Sequence, residues 1–185
     1  MINDVQRDAE QRMKSALNVL EEDLAGLRTG RASSALVEKI MVDYYDVPTP
    51  LYQLAGITVP EPQQISIRPY DRSTLKLIEK AILASDLGLT PNNDGQNIRL
   101  NLPPLTEERR KDLVKIVGKR VEDAKVAIRN VRRSAIEELR KLEKNKEISE
   151  NARDNAIESI EKLTTKYIEE VEAIGKRKEN EIMEV

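Results

Sequence analysis

Residues 117–135, VGKRVEDAKVAIRNVRRSA, decide the fold because they place apolar and basic side chains on different sides of one long helix. Apolar residues recur at alternating intervals of four and three, the spacing of a helix that packs in a bundle. The stretch therefore predicts one buried seam of a helical bundle. The residues of this seam are Val117, Val121, Ala124, Ile128, Val131 and Ala135.

Basic side chains flank the predicted seam. With about 100° of rotation per residue, Lys125, Arg129 and Arg132 fall on one flank, and Arg133 points nearly away from the core. Guanidinium groups suit bidentate contacts with phosphate. Arginines beside a bundle seam also pair with glutamates on a neighbouring helix. The helix alone does not decide between these two interpretations.

The composition of the 185-residue chain favours helices with aliphatic seams. It contains 35% charged and 3% aromatic residues, with no Phe and no Trp. The absence of Cys excludes disulfides and thiolate metal sites, and the absence of His removes the commonest acid/base group and metal ligand. The usual catalytic triads are therefore impossible. Composition does not exclude an enzyme that uses Asp, Glu, Lys or Tyr, but no paired carboxylates or phosphate cradle stand out, so we expect a protein that is not an enzyme, with no catalytic residues, cofactor or metal.

Targeting signals are not evident in the sequence. The amino terminus lacks a basic region followed by an apolar run, and no stretch of 18 apolar residues occurs. We expect a cytoplasmic protein that does not associate with membranes.

Charge is distributed unevenly along the chain, although the net charge is only −2. Residues 106–147 carry 14 Lys and Arg against 9 Asp and Glu, whereas residues 148–185 carry 6 against 10. A positive helix on an acidic body can dock on phosphate at one face. Oppositely charged helices can also complement each other within the bundle.

Periodicity predicts three long helices and one inserted unit. A helix over residues 3–27 ends near Gly30, and two further helices cover residues 106–146 and the remainder of the chain after Ser149. Between them the period changes to two, with strands around Ile40–Tyr44, Ile57–Val59, Ile65–Ile67 and Ile98–Leu102 and a helix opened by Asp71. The sequence thus predicts an α+β protein, with a discontinuous three-helix bundle over residues 1–30 and 105–185 and an inserted domain over residues 31–104.

Two chain crossings join the predicted units. One crossing is Thr29-Gly30-Arg31, and the other contains Pro103 and Pro104. Glycine gives the first crossing conformational freedom and the proline pair stiffens the second. A double tether permits bending and restrains dissociation, so we predict a hinge at these residues.

Several blocks of the chain together resemble bacterial-type ribosome recycling factors over its full length, in the order found in that family. Residues 27–33 read LRTGRAS, residues 42–45 VDYY, residues 49–51 TPL and residues 59–61 VPE. Residues 103–111 read PPLTEERRK, and residues 126–133 read VAIRNVRR. The number of blocks in register makes the resemblance specific.

The resemblance implies an L-shaped, elongated three-helix bundle with an inserted small β/α/β domain. It also implies a monomeric translation factor that binds the large ribosomal subunit and its 23S rRNA after termination. With elongation factor G and GTP, such a factor splits the ribosome into subunits. The nucleotide belongs to elongation factor G, and this chain has no Gly-x-x-x-x-Gly-Lys-Ser/Thr loop.

Matching arginines transfer the family's RNA contacts to this chain residue by residue. The resemblance marks Arg132 first, then Arg129 and Arg28, with Arg31 and Arg110 near the hinge. We expect Lys125 and Arg133, on the same helix as Arg132, to belong to this rRNA-binding surface as well. Arg28 could instead compensate the helix dipole, and Arg110 could pair with Glu107 or a neighbouring acidic helix. A structural or adaptor coiled coil without a ribosomal role is the alternative function, and it predicts self-association.

Overall fold

The structure, a computed structural model, describes residues 1–184 and divides the chain into two compact units. We call them the bundle unit, Met1–Leu24 and Val114–Asn180, and the insert unit, Ala25–Leu113 with the end of the last helix from Glu181. The division falls inside the second long helix, whereas the sequence predicts a boundary before that helix begins. The first turns of the helix thus make their contacts with the insert unit.

The long helices agree with the sequence prediction within three residues at each end. The order of the elements is α1 (Ile2–Ala25), β1 (Met41–Tyr44), β2 (Val47–Pro50), α2 (Leu51–Leu54), β3 (Ala55–Glu61), β4 (Gln64–Pro69), α3 (Leu75–Ala84), β5 (Asn92–Asn93), β6 (Ile98–Asn101), α4 (Glu107–Lys144) and α5 (Glu150–Met183). Short 3₁₀ turns, Ser34–Leu36 and Arg72–Thr74, precede β1 and α3.

The predicted seam of α4 forms the core of the bundle unit. Five of its six residues are buried and Val121 is half-buried. The facing helices contribute aliphatic residues and Tyr167, whose hydroxyl lies 3.4 Å from Oε1 of Glu10. Further core residues are Val5, Ala9, Met13, Leu20 and Leu24 from α1 and Ala156, Ile160 and Val171 from α5.

Local caps fix both ends of α4. The amide of Arg109 donates to Oγ1 of Thr106 at 3.1 Å, which confirms the predicted cap at the start of the helix. At the other end Lys146 has a φ of +62°, and the amides of Lys146 and Glu147 donate to the carbonyls of Glu143 and Leu142. This is a Schellman motif, in which glycine usually takes the left-handed position.

The insert unit is an antiparallel four-stranded sheet of order β3-β4-β6-β5, accompanied by α3 and the separate β1-β2 hairpin. Buried residues from the sheet, the hairpin and α3, including Val42, Ile65 and Ile78, share one apolar core. All four predicted strands and the predicted helix are present. The sequence prediction omitted β2, α2 and β5.

Prolines explain why β2 is absent from the sequence prediction. Pro48 and Pro50 lie within this strand, where the sequence suggested turns. Proline is tolerated in an edge strand because only one side of the strand requires backbone donors. β2 pairs with β1 alone, so both prolines are compatible with the ladder.

Two helical glycines in the bundle unit have opposite surroundings. A Cβ added to Gly175 of α5 would lie 2.5 Å from Cγ2 of Val121 in α4. A Cβ added to Gly118 of α4 would have no atom within 4 Å. Gly175 therefore permits the close approach of α4 and α5, whereas Gly118 has no such packing role.

We predict that Gly175→Ala destabilises the bundle by about 1–3 kcal/mol, because branched Val121 cannot move freely away from the added methyl group. Gly118→Ala should instead stabilise the protein by up to about 1 kcal/mol through helix propensity. Urea unfolding of both variants measures this difference. Adding Val121→Ala to Gly175→Ala should restore part of the lost stability. If Gly175→Ala left the free energy of unfolding unchanged, the packing account would be contradicted.

Candidate nucleic-acid interface

Arg129 and Arg133 lie on the solvent-facing side of α4 and are exposed. Neither guanidinium forms an ion pair or side-chain hydrogen bond within residues 1–184. Arg140, seven residues after Arg133, is also exposed and unpaired within the same range. Its heptad relation to Arg133 is a signal in the sequence that the motif-based prediction did not use. These three residues form what we call the open arginine row.

Arg132 occupies the edge of the same helix, beside α5. Its Nη1 lies 3.7 Å from Oε2 of Glu161, and its side chain is 36% exposed. This separation is too long for a charge-assisted hydrogen bond, and a solvent-exposed pair of this kind contributes at most about 1 kcal/mol. Arg132 can therefore exchange Glu161 for an external anion at little cost.

Lys125 is held more firmly than the arginines. Its Nζ lies 2.9 Å from Oε1 of Glu172 in α5 and 3.6 Å from Oε1 of Glu122, and the side chain is only 14% exposed. The hydrogen bond to Glu172 raises the pKa of Lys125, partly opposed by burial. The lysine thus connects α4 to α5, and an RNA contact would require it to leave both carboxylates.

These contacts show that the bundle interpretation holds for two residues of the basic flank and does not hold for the other two. Lys125 and Arg132 pair with glutamates of the neighbouring helix, as the bundle interpretation predicts. Arg129 and Arg133 remain available to an external anion. The pairing depends on the angle from the seam, because residues closer to the seam reach α5 and those farther away do not.

The remaining predicted arginines belong to the insert unit, around the two crossings. Nη2 of Arg28 donates a hydrogen bond to the carbonyl of Pro103, and burial lowers the pKa of Arg28, assisted by the positive charge of Arg109. Arg110 is half-buried, and its Nε has no hydrogen-bond acceptor. Arg31 is exposed, and only its backbone is bonded, to Oγ1 of Thr29.

Both crossings are attached to one turn of the insert unit. The amide of Ala32 donates to the carbonyl of Pro62 at 2.7 Å, and the amide of Leu102 donates to that of Gln63 at 2.8 Å. Pro62 and Gln63 form the turn between β3 and β4. A Cβ at Gly30 would have no atom within 4 Å, so packing does not require glycine there.

The described residues offer no metal site. No group of three or more acidic side chains within residues 1–184 could hold a metal ion. A depression of about 360 Å³ in the bundle unit is lined by Asp4, Asp8 and Glu138 with apolar neighbours, and its charge does not suit a phosphate. Within the same range, no helix is long and apolar enough to cross a membrane.

Comparisons with known proteins identify the family of this chain. The family model described as ribosome recycling factor matches residues 20–183. The ribosome-recycling factor of Geobacillus kaustophilus is 54% identical over 185 residues, which is the whole of both chains. That of Natranaerobius thermophilus is 56% identical over 176 residues, or 95% of this chain and 96% of the relative.

Structures of ribosome recycling factors also match the fold of this chain. A solution structure of a ribosome recycling factor matches with a TM-score of 0.78 and 47% identity, covering 100% of this chain and 98% of the other. A second match, with a TM-score of 0.68, 44% identity and 99% coverage of both chains, comes from models of the T. thermophilus factor and E. coli elongation factor G bound to the E. coli post-termination complex.

The family match identifies this α+β protein as a translation factor rather than an enzyme. The chain belongs to the ribosome recycling factor family. This family identity confirms the resemblance found in the sequence.

We predict that Lys125→Met lowers the free energy of unfolding at pH 7 by up to about 1 kcal/mol, because Glu172 loses its partner. The pKa of Lys125 is raised in the folded protein. The contribution of Lys125 to the free energy of unfolding is therefore complete below pH 10.5, the ordinary pKa, and is lost as the pH rises through the pKa of the folded state. Urea unfolding at pH 7 and pH 11 measures both effects.

Lys162→Met is the control for this variant, because Lys162 pairs only within α5, with Glu158. It should change stability by no more than about 0.5 kcal/mol. Equal losses for the two variants at pH 7 would argue against a special role for the Lys125 contact.

Proposed function

We propose that this chain binds the large subunit of the post-termination ribosome through α4 and, with elongation factor G and GTP, splits the ribosome into subunits. The models of the T. thermophilus factor and E. coli elongation factor G bound to the E. coli post-termination complex support this proposal. We further propose that the protein acts as a cytoplasmic monomer. Family membership also favours this function over a structural coiled coil.

The observation that carries the proposal is the set of cations left free by the bundle. Arg129 and Arg133 have no internal partner in the described residues, and Arg132 has only a long contact with Glu161. Folded ribosomal RNA presents backbone phosphates at fixed positions, so arginines on a rigid helix can set the register of binding without recognising bases. Lys125 supports this surface by holding α4 against α5.

We propose the residues around the crossings as a second group of RNA contacts, with Arg28, Arg31 and Arg110. The proposed hinge comprises Thr29, Gly30, Arg31, Pro103 and Pro104. It joins the two domains predicted from the sequence, residues 1–30 with 105–185 and residues 31–104, rather than the two compact units of the structure. Elongation factor G would move the insert while the bundle stays attached to 23S rRNA. This motion would transmit force to a contact between the ribosomal subunits.

We predict that Arg129→Ala and Arg132→Ala each weaken binding to large ribosomal subunits and reduce the slope of log affinity against log salt by about one, because each removes a phosphate contact. Co-sedimentation across a salt titration measures both quantities. Arg12→Ala on α1, whose partner is Asp8, is the control and should leave the slope unchanged. Unchanged binding by both α4 variants would contradict the proposed interface.

We predict that restricting the backbone at Gly30 slows subunit splitting and leaves large-subunit affinity unchanged. The structure has open space for a Cβ at this position, so Gly30→Ala and Gly30→Val should both fold. Because valine has less backbone freedom than alanine, the splitting rate should fall in the order Gly, Ala, Val. Light scattering with elongation factor G and GTP measures the rate, and equal rates for all three would contradict a hinge at Gly30.

A further inference from the structure

Three cations follow one another along α3 and the 3₁₀ turn before it, in the insert unit. Arg72, Lys76 and Lys80 are spaced four residues apart, and all three are exposed. None of them forms an ion pair or a side-chain hydrogen bond within residues 1–184. Lys76 and Lys80 point away from the buried residues of α3, so packing of the helix directs them to solvent. We call these three residues the α3 row.

The α3 row lacks the acidic partners that several exposed cations of the bundle unit have. Arg12 pairs with Asp8 and Lys162 pairs with Glu158, in each case an acid four residues earlier on the same helix. In the α3 row the residue four positions earlier is another cation. Like charges at this spacing repel each other and destabilise a helix.

The position of the α3 row within the helix is also unfavourable. α3 begins at Leu75, so Lys76 lies in the first turn, where the helix dipole favours acids. The first turn contains no acidic residue and the last turn no basic one. Glu79, the one acid of α3, accepts a hydrogen bond from Nδ2 of Asn93 at 3.3 Å instead of pairing with the row. The stability of the helix therefore does not account for the row, which indicates an anion supplied from outside the chain.

An exposed aromatic ring precedes the α3 row. The side chain of Tyr70 is 75% exposed, more than any other large apolar side chain in residues 1–184. The amide of Tyr70 donates to the carbonyl of Leu54 at 3.0 Å, and the carboxylate of the next residue, Asp71, accepts from the amide of Ser73. These bonds hold the backbone on both sides of the ring and leave the ring itself in solvent. Tyr70 thus provides an open aromatic surface two residues before Arg72.

Unpaired RNA fits this combination of groups better than an acidic protein surface does. Lys76 and Lys80 are about 6 Å apart along the helix axis, so the row presents charge at a regular interval. A nucleic-acid strand carries one phosphate charge per nucleotide and matches such a repeat along its length. Proteins that bind single strands combine cations that follow the backbone with aromatic side chains on which bases stack. An acidic protein surface would satisfy the cations alone and leave the ring unexplained.

We infer that Tyr70, Arg72, Lys76 and Lys80 form a binding site on the insert unit for an unpaired segment of ribosomal RNA. The three cations contact successive phosphates, and the Tyr70 ring stacks on a base. This inference rests on the proposed function, because the post-termination ribosome supplies the RNA. None of these four residues belongs to α4 or to the crossings, so the insert unit has an RNA contact of its own, through which its motion acts on the ribosome.

The double variant Lys76→Gln/Lys80→Gln tests the α3 row by co-sedimentation with intact post-termination ribosomes across a salt titration. Both lysines are exposed and glutamine is an equally good helix former, so the variant should fold. We expect its affinity to fall about threefold to tenfold, and the slope of log affinity against log salt to fall by about one to two. The matched control is Arg99→Gln, because exposed Arg99 of the insert unit already pairs with Asp94, and it should change neither quantity.

The outcomes distinguish this inference from the proposed function. If Arg129→Ala and Arg132→Ala weaken binding and the Lys76/Lys80 double variant leaves both affinity and slope unchanged, the site on α3 is wrong and the proposed function stands. If none of these variants changes binding, both are wrong.

Tyr70→Ala and Tyr70→Phe test the stacking of a base on the ring. Stacking requires the ring and not the hydroxyl group, so Tyr70→Ala should lose at least about fivefold in affinity for post-termination ribosomes and Tyr70→Phe should lose none. Equal affinities for the two variants would overturn the stacking contact. Thermal unfolding confirms that each variant is folded.

Cross-linking distinguishes RNA from an acidic protein as the partner of α3. Because the chain has no Cys, a single cysteine at Leu83, which is 60% exposed and lies on the same side of α3 as Lys76, can carry a photoactivated cross-linker. On post-termination ribosomes we expect the cross-linked partner to be digested by ribonuclease. A cross-link to protein alone, or no cross-link at all, would overturn the RNA site.

Discussion

The packing of the apolar seam of α4 against α1 and α5 is the interaction on which the remaining arrangement depends. Ile128 and Val117 are completely buried in this seam, and their positions fix the rotation of the helix about its axis. Once that rotation is set, the direction of every other side chain on α4 follows from its angle to the seam. Arg129 and Arg133 are thereby directed to solvent without any specific contact holding them there.

The same geometry divides the cations of α4 into two groups. Lys125 and Arg132, nearer the seam, reach glutamates of α5, and the lysine contact is the shorter of the two. The arginines farther from the seam have no partner among residues 1–184. Gly175 contributes to this division, because its lack of a side chain lets α5 approach Val121 closely enough for Glu172 to meet Lys125.

The sequence predicted the elements that have strong periodicity and missed those that depend on pairing. The seams of the three helices and the four main strands follow directly from apolar spacing. β5 has only two residues, and its pairing with β6 is a tertiary contact that no local pattern contains. The tight turn of Tyr45 and Asp46, both with positive φ, was equally hidden, because a bulky residue such as Tyr45 rarely adopts a positive φ.

The candidate site could be predicted only in part for a similar reason. The arginines of residues 126–133 were evident from their spacing and from the family resemblance. Whether each arginine is paired depends on which glutamate of α5 lies opposite it. Predicting the pairs therefore requires the register between α4 and α5, which the sequence pattern of either helix does not contain. The unsatisfied Nε atoms of Arg28 and Arg110 depend on burial and on the path of the proline crossing, and spacing contains no information on either.

Directed cleavage of ribosomal RNA tests the central claim that the solvent-facing side of α4 rests on the large subunit. Because the chain has no Cys, single cysteines at Val126 of α4 and Val19 of α1, both about half exposed, can each carry a tethered iron chelate. The account predicts strong cleavage of 23S rRNA from position 126 and weak cleavage from position 19. Equal cleavage from the two positions, or stronger cleavage from position 19, would contradict it.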